Sequence, residues 1–168
     1  QIMVDFGENF RQFTEDRGVR IFAMNIAHLQ ENDFCNHAYG IQIFKAEPFF
    51  PTSTGLSNEG LEVLQMMKQK NILLDIKHTS LFARQQIYQL NMHGPDWPLV
   101  CTHAGLTGIP SVNRRLFILH HRKFGTGFLR VKHFKPIGHI MGTSFNPSSI
   151  NLYNDDVKEI INSGGITI

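Results

Sequence analysis

Three histidines each follow a short apolar segment, and this recurring placement is the clearest chemical feature of the sequence. They are His28 after the run 19–26, His78 after the run 72–76, and His103 after the run 99–102. Neutral imidazole is a good zinc ligand, and a zinc site with an open coordination position activates water for hydrolysis. Parallel strands present their carboxyl ends on one face of a fold, where the active site of such proteins lies. The sequence therefore predicts a shared rim of imidazoles, with hydrogen-bonded structural histidines as the alternative.

Other polar residues near these segments have less specific roles. Asp75 lies inside its apolar run, where a buried carboxylate is costly unless it is paired. It can either orient a metal ligand through a hydrogen bond or be an ordinary acid at a strand end. Thr79, Ser80 and Thr102 are interpreted as helix caps or local hydrogen-bonding groups and not as nucleophiles. The remaining histidines are weaker candidates: His120 and His121 are interpreted as a solvated face with the adjacent Arg122 and Lys123, and the others lie in loops with no evident partner. These others are His37, His93, His133 and His139.

Alternating strand and helix patterns must position these side chains, and this alternation predicts a parallel α/β fold. The strands are expected at 19–26, 41–44, 72–76, 98–102 and 166–168. The helices are expected to begin at Ser57, Ser80 and Asn154, which are good N-cap residues. Their buried faces are predicted to be Leu61, Leu64 and Met67; Ala83, Ile87 and Leu90; and Val157, Ile160 and Ile161.

Residues 104–149 form the least regular segment, which we interpret as a long loop with a short helix near 114–121. Residues 98–153 contain no acidic side chain. The same stretch holds Arg114, Arg115, Arg122, Lys123, Arg130, Lys132 and Lys135. Aromatic residues lie among these cations, a pattern that also occurs in nucleic-acid contacts. The irregular pattern and the overall charge of +2 favour a surface loop covering a pocket, so no nucleic-acid partner is expected.

Composition limits the class of protein. With 168 residues, 42% hydrophobic and 18% charged, the chain suits one domain with a real core and excludes a disordered chain. No apolar run approaches the roughly 20 residues of a membrane span, and no signal-peptide pattern is visible. Cys35 and Cys101 have no CxxC spacing, so thiols without a disulfide, and hence a cytoplasmic location, are favoured. Both ends fall inside apolar runs, so we expect residues 1–168 to be a single incomplete domain of a larger protein.

Several segments, taken in order, resemble the membrane (renal) dipeptidase family. They are Gly18-Val19-Arg20 through Ile26-Ala27-His28 with Asn32-Asp33; Gly55-Leu56-Ser57-Asn58-Glu59-Gly60; Leu74-Asp75-Ile76-Lys77-His78-Thr79-Ser80; Val100-Cys101-Thr102-His103-Ala104; and Asn151-Leu152-Tyr153-Asn154-Asp155-Asp156 through Gly164-Gly165-Ile166. The resemblance implies a zinc hydrolase of the amidohydrolase superfamily, built on a (β/α)8 barrel with a two-zinc centre. The chain would supply about strands four to seven, with a piece of strand three before Gly18.

The same resemblance implies roles for the three histidines. His78 and His103 match the two histidines that bind one zinc, and His28 matches the histidine that polarises the scissile carbonyl. The implied substrate is a dipeptide or a related small amide, and a homodimer is compatible with the family.

The sequence also departs from the family pattern. It contains no His-x-Asp pair for the other zinc, and only Asp5 or Glu8 is available as the bridging carboxylate. Ile150 stands where the family has a substrate-binding arginine, for which Arg114 or Arg115 could substitute. The proton-handling aspartate would follow Ile168. Because an eight-stranded barrel takes about 250 residues, we expect either an open half-barrel with exposed sheet edges or a closed barrel in which much of the chain lies outside residues 1–168. Residues 1–168 alone are expected to be inactive. The alternative is a non-catalytic relative that binds a small molecule or a protein.

Overall fold

A four-stranded parallel sheet forms the centre of the structure. The structure is a computed structural model, and it describes residues 2–29, 32–38, 55–108, 110, 117–123, 126–132 and 150–168. In chain order its elements are α1 (Ile2–Arg11), a π-helical turn (Gln12–Asp16), β1 (Ala23–Met24), α2 (Asn58–Gln69), β2 (Leu73–Asp75), α3 (Leu81–Leu90), β3 (Leu99–Cys101), β4 (Phe117–Lys123), β5 (Thr126–Lys132), α4 (Asn154–Asn162) and β6 (Ile166–Thr167).

The strand order of the sheet is β1-β2-β3-β6, and all three pairings are parallel. Each strand therefore lies beside the one that precedes it in this sheet, as in a sector of a (β/α)8 barrel. The predicted α/β class, with parallel strands and flanking helices, is confirmed. Among the described residues the four strands form an open sheet, in keeping with a partial barrel. No helix in these residues is long and apolar enough to cross a membrane.

The helix starts were largely predictable because capping is a local interaction. The Ser57 hydroxyl accepts the Gly60 N–H at 2.9 Å, and the Ser80 hydroxyl accepts the Ala83 N–H at 3.1 Å. The prediction that Asn154 caps the last helix is wrong by one residue, since Tyr153 is the N-cap.

The buried helix faces differ from the predicted ones at several positions. In α2, Val63 is buried together with Leu64 and Met67, while Leu61 is only partly covered. Leu90 of α3 is 38% exposed and Ile161 of α4 is 65% exposed, and Val157 is only partly buried. In α3 and α4, Arg84 and Asp156 are buried in place of the predicted residues, because a polar contact joins these two helices.

This contact links Arg84 of α3 to Asp156 of α4. The Arg84 Nε atom lies 3.3 Å from Asp156 Oδ1, and both side chains are almost fully buried. Tyr88 donates its hydroxyl to Asp156 Oδ1 at 2.7 Å, and the Tyr153 N–H donates to Oδ2 at 2.8 Å. A buried charge must be paired and hydrogen-bonded. Satisfying Asp156 therefore fixes how α3 and α4 face the sheet.

Two further predictions are wrong. The segment before Gly18, expected to include a strand, forms α1, which buries Phe10 in the core. A helix was expected near 114–121, but residues 117–121 belong to strand β4, which pairs antiparallel with β5 and places Phe117 opposite Lys132. Aromatic and β-branched residues in both segments favour strands, and this preference outweighs the short helical pattern. The strand predicted at 41–44 lies outside the described residues.

Gly165 is needed where α4 turns back into β6. A Cβ atom at this position would lie 1.7 Å from the Leu99 carbonyl oxygen of β3. Gly165→Ala is therefore expected to lower the free energy of unfolding by about 3 kcal/mol, since the clash is with backbone that cannot rotate away. Gly94→Ala, where a Cβ meets nothing within 4 Å, is the matched control and should change it by less than about 1 kcal/mol. Equal urea midpoints for the two variants would contradict this packing.

Candidate functional site

The imidazole rings of His28, His78 and His103 lie side by side at the carboxyl ends of β1, β2 and β3. The ring centroids of His28 and His78 are 4.3 Å apart, and those of His78 and His103 are 5.3 Å apart. His78 lies in the middle and is buried, whereas His28 and His103 are exposed. The structure thus brings the predicted residues together on one rim, while their chemical roles stay predictions.

Asn25 fastens the end of β1 to the turn that carries His78. Its Nδ2 group donates to the Asp75 carbonyl at 3.1 Å and to the Lys77 carbonyl at 3.0 Å. The two turns that bear His28 and His78 are therefore held together by one amide. Sequence reasoning did not select Asn25; its only local signal is an amide directly after the β1 strand.

The backbone at His78 has a left-handed conformation, with φ +65°. This region is uncommon for residues other than glycine, although histidine tolerates it better than most. The turn is held by the Thr79 N–H donating to the Ile76 carbonyl at 3.1 Å, and by the Ala38 N–H donating to the His78 carbonyl. Such conformations persist only where surrounding contacts enforce them, and they are concentrated at functional sites. Here the turn directs the His78 ring between its two neighbours.

Burial keeps the His78 ring neutral. The pKa of His78 is lowered from 6.5 to about 4, first by burial and then by the neighbouring His28, Lys77 and His103. Neutral imidazole is the form that binds metals. Within the described residues, the buried Nδ1 atom of His78 has no hydrogen-bond partner. An uncharged ring with an unsatisfied nitrogen is compatible with a bound cation.

Asp75 connects the turns that carry His78 and His103. Its Oδ1 atom accepts the Lys77 N–H at 3.0 Å and the Thr102 N–H at 3.3 Å. Its Oδ2 atom accepts the Thr102 hydroxyl at 2.6 Å, and that hydroxyl is 3.1 Å from His103 Nδ1. The carboxylate is thus paired, as its burial requires, and it contacts the residue before each of the two histidines.

The spacing of two rings on the rim fits two imidazole ligands of one metal ion. Two imidazoles on one tetrahedral zinc ion, with Zn–N bonds of about 2.1 Å, have ring centroids roughly 5 Å apart. The His78–His103 separation of 5.3 Å matches this value. The part of the chain that the structure describes contains no group of three or more His, Cys, Asp or Glu side chains suited to a metal. Any metal would therefore need additional ligands.

The neighbouring Cys101 is unsuited to complete such a site. Burial, followed by the nearby Asp75 charge, raises the pKa of the Cys101 thiol to about 11. A thiol must lose its proton to bind a metal or to act as a nucleophile. Both cysteines are buried and form no disulfide, as predicted.

Several residues have contacts that the sequence did not predict. His37 is buried and forms an isolated β-bridge with Thr79, and His93 Nε2 lies 3.0 Å from Glu159 Oε2. Lys77 is also buried and donates to the Ile150 carbonyl at 3.3 Å; burial lowers its pKa.

His133 and His139 lie outside the described residues, as do Arg114 and Arg115.

Comparisons with known proteins support the fold. No family model and no curated protein matches the sequence. Among solved structures, the chain is similar to the probable dipeptidase PvdM from Pseudomonas aeruginosa, with a TM-score of 0.54 and 18% sequence identity. The match covers 96% of this chain and 30% of the PvdM chain. A likeness at this level of identity shows a shared fold, and this chain spans about a third of the relative's length.

The lowered pKa of His78 predicts a pH-dependent stability of the metal-free protein. An unfolded His78 takes up a proton near pH 6.5, whereas the folded one does so only at about 4. Between these values the unfolded chain binds more protons, so the free energy of unfolding falls as the pH is lowered through this window.

Urea denaturation between pH 4 and 6.5 measures this slope, which should be smaller in His78→Gln. His28→Gln removes a neighbour whose electrostatic interaction lowers the pKa of His78, so NMR should show the His78 ring titrating at a higher pH in this variant. An unchanged His78 titration in His28→Gln would contradict the electrostatic contact between the two rings.

Proposed function

We propose that the complete protein is a metal-dependent hydrolase that cleaves a peptide or related amide bond with a zinc-activated water. The observation that carries this proposal is the 5.3 Å separation of the His78 and His103 rings at the carboxyl ends of adjacent parallel strands. The structural likeness to a probable dipeptidase supports the same class of reaction.

His78 and His103 are the residues that would hold the metal. His78 contributes a buried neutral ring with an unsatisfied nitrogen, and His103 contributes an exposed ring on the adjacent strand end. A bound zinc would lower the pKa of a coordinated water and polarise a substrate carbonyl. Two imidazoles do not complete a zinc site, so a binuclear centre with two zinc ions would need ligands from elsewhere in the protein.

His28 is suited to contact the substrate and not the metal. It is exposed, and its ring packs against that of His78 at 4.3 Å, closer than two ligands of one tetrahedral ion. A ring N–H at this place would donate to the carbonyl oxygen of a bound amide, where negative charge develops during attack by water. Fixed donors of this kind stabilise the transition state more than the bound substrate. His28 is therefore proposed as the catalytic histidine.

Metal analysis of the full-length protein tests the assignment of ligands. Wild type is expected to bind about two zinc ions per chain, and His78→Ala and His103→Ala should each lose metal. His93→Gln is the control, because His93 pairs with Glu159 and is not one of the three rim histidines. Wild-type metal content in both His78→Ala and His103→Ala would overturn the proposal.

The role of His28 has a separate test. His28→Ala should keep its zinc while kcat for dipeptide hydrolysis falls roughly 100-fold, the cost typical of losing one donor to a developing oxyanion. Loss of metal in this variant would instead place His28 among the ligands.

The alternative is a non-catalytic relative in which the rim binds a small molecule or a protein. It is favoured by one observation: among the described residues, no three His, Cys, Asp or Glu side chains form a group suited to hold a metal. If the full-length protein binds no zinc and hydrolyses no dipeptide, this alternative replaces the proposed hydrolase.

A further inference from the structure

We propose that Asp75 and Thr102 are positioning residues that hold His103 in the tautomer with its proton on Nδ1, leaving Nε2 as the lone-pair nitrogen. Three hydrogen-bonded side chains, those of Asp75, Thr102 and His103, join the carboxyl ends of β2 and β3. The tautomer is a property of the metal-free protein, whereas its consequence for zinc binding rests on the proposed function.

The proton positions follow from the capacity of each group to donate and accept. The Asp75 carboxylate accepts hydrogen bonds and donates none. Its Oδ2 atom lies 2.6 Å from the Thr102 hydroxyl oxygen, a separation typical of an O–H group bound to a carboxylate. The single hydroxyl proton of Thr102 must therefore point to Asp75. With the proton elsewhere, two oxygen lone pairs would face each other at this distance.

The hydroxyl of Thr102 then has only lone pairs left for His103. Because the Nδ1 atom lies 3.1 Å from this oxygen, Nδ1 must carry the proton and donate it. A neutral imidazole has one N–H, so the other nitrogen, Nε2, is the acceptor. An Nε2 lone pair is what a metal or an acidic ligand group would meet at this ring.

The same carboxylate also fixes the two turns in relation to each other. Asp75 Oδ1 accepts the N–H groups of Lys77 and Thr102, which directly precede His78 and His103. Asp75 lies opposite Val100 in the register of β2 and β3, so Thr102 comes two residues beyond its partner. The sheet therefore places Thr102 within reach of Asp75. Backbone and side-chain donors together pair the carboxylate and orient His103.

Long-range proton–nitrogen NMR spectra of the metal-free full-length protein test the tautomer directly. At about pH 8, where imidazoles are neutral, the His103 signals, assigned by comparison with His103→Gln, should show the pattern of the Nδ1-protonated ring. Thr102→Val removes the hydroxyl at nearly equal volume and should shift His103 towards the Nε2-protonated form. Thr102→Ser should restore the wild-type pattern, which a general loss of packing would not do.

Zinc affinity, measured by competition with a chelating dye, provides the second readout. In Thr102→Val we expect roughly 10- to 100-fold weaker binding, the usual cost of losing a hydrogen bond to a metal ligand. Thr14→Val in the π-helical turn is the matched control and should change neither readout, because the Thr14 hydroxyl donates its proton to the Phe10 carbonyl of α1 and not to Asp75.

An unchanged His103 tautomer in Thr102→Val overturns the inference. A changed tautomer with unchanged zinc affinity supports the positioning role and contradicts the proposed metal site, so the two failures are distinguishable. Thr102→Ser keeps the test valid if the valine variant folds poorly.

Discussion

The buried carboxylate of Asp75 is the constraint on which the geometry of the rim depends. Removing a charge from water is costly, so this side chain must be surrounded by donors. Its donors are the Lys77 N–H and both the N–H and the hydroxyl of Thr102. Because these groups belong to the turns after β2 and β3, pairing the carboxylate brings both turns into one arrangement. The placement of His78 beside His103 is therefore a consequence of how the protein satisfies one buried acid.

The fold was predictable from the sequence where local interactions decide it. Ser57 and Ser80 cap helices through hydrogen bonds to N–H groups three residues away, so a short segment contains the whole signal. The inward faces of α3 and α4 depend instead on Arg84 and Asp156, which are distant in the sequence. A periodic pattern treats a charged residue as exposed, and it cannot foresee that two such residues pair inside the protein. The same pattern places the apolar residues Leu90 and Ile161 in the core, whereas the structure exposes them.

At the candidate site, the positions were predictable and the interactions were not. Three histidines after three strands must meet at one edge if the strands are parallel, and they do. The amide of Asn25, the left-handed backbone at His78 and the hydroxyl of Thr102 act across turns whose spacing the strand register sets. Sequence patterns give the order of strands but not this register. The same limit applies to Lys77, a charged residue that directly follows the apolar run 72–76 and that the structure buries.

The unequal spacing of the three rings suggests a division of roles. The His78 ring contacts both neighbouring rings. A His78 nitrogen that binds a cation cannot at the same time form a hydrogen bond with His28. The 5.3 Å pair suits two ligands of one ion, and the 4.3 Å pair suits direct ring packing. His28 and His103 are both exposed, but His103 is anchored through Thr102 to a buried acid. Anchored imidazoles make precise ligands because a tethered ring loses little further freedom on binding. In the proposed function, His28 would approach the substrate, so the same edge of the sheet would both hold a cation and act on the molecule bound beside it.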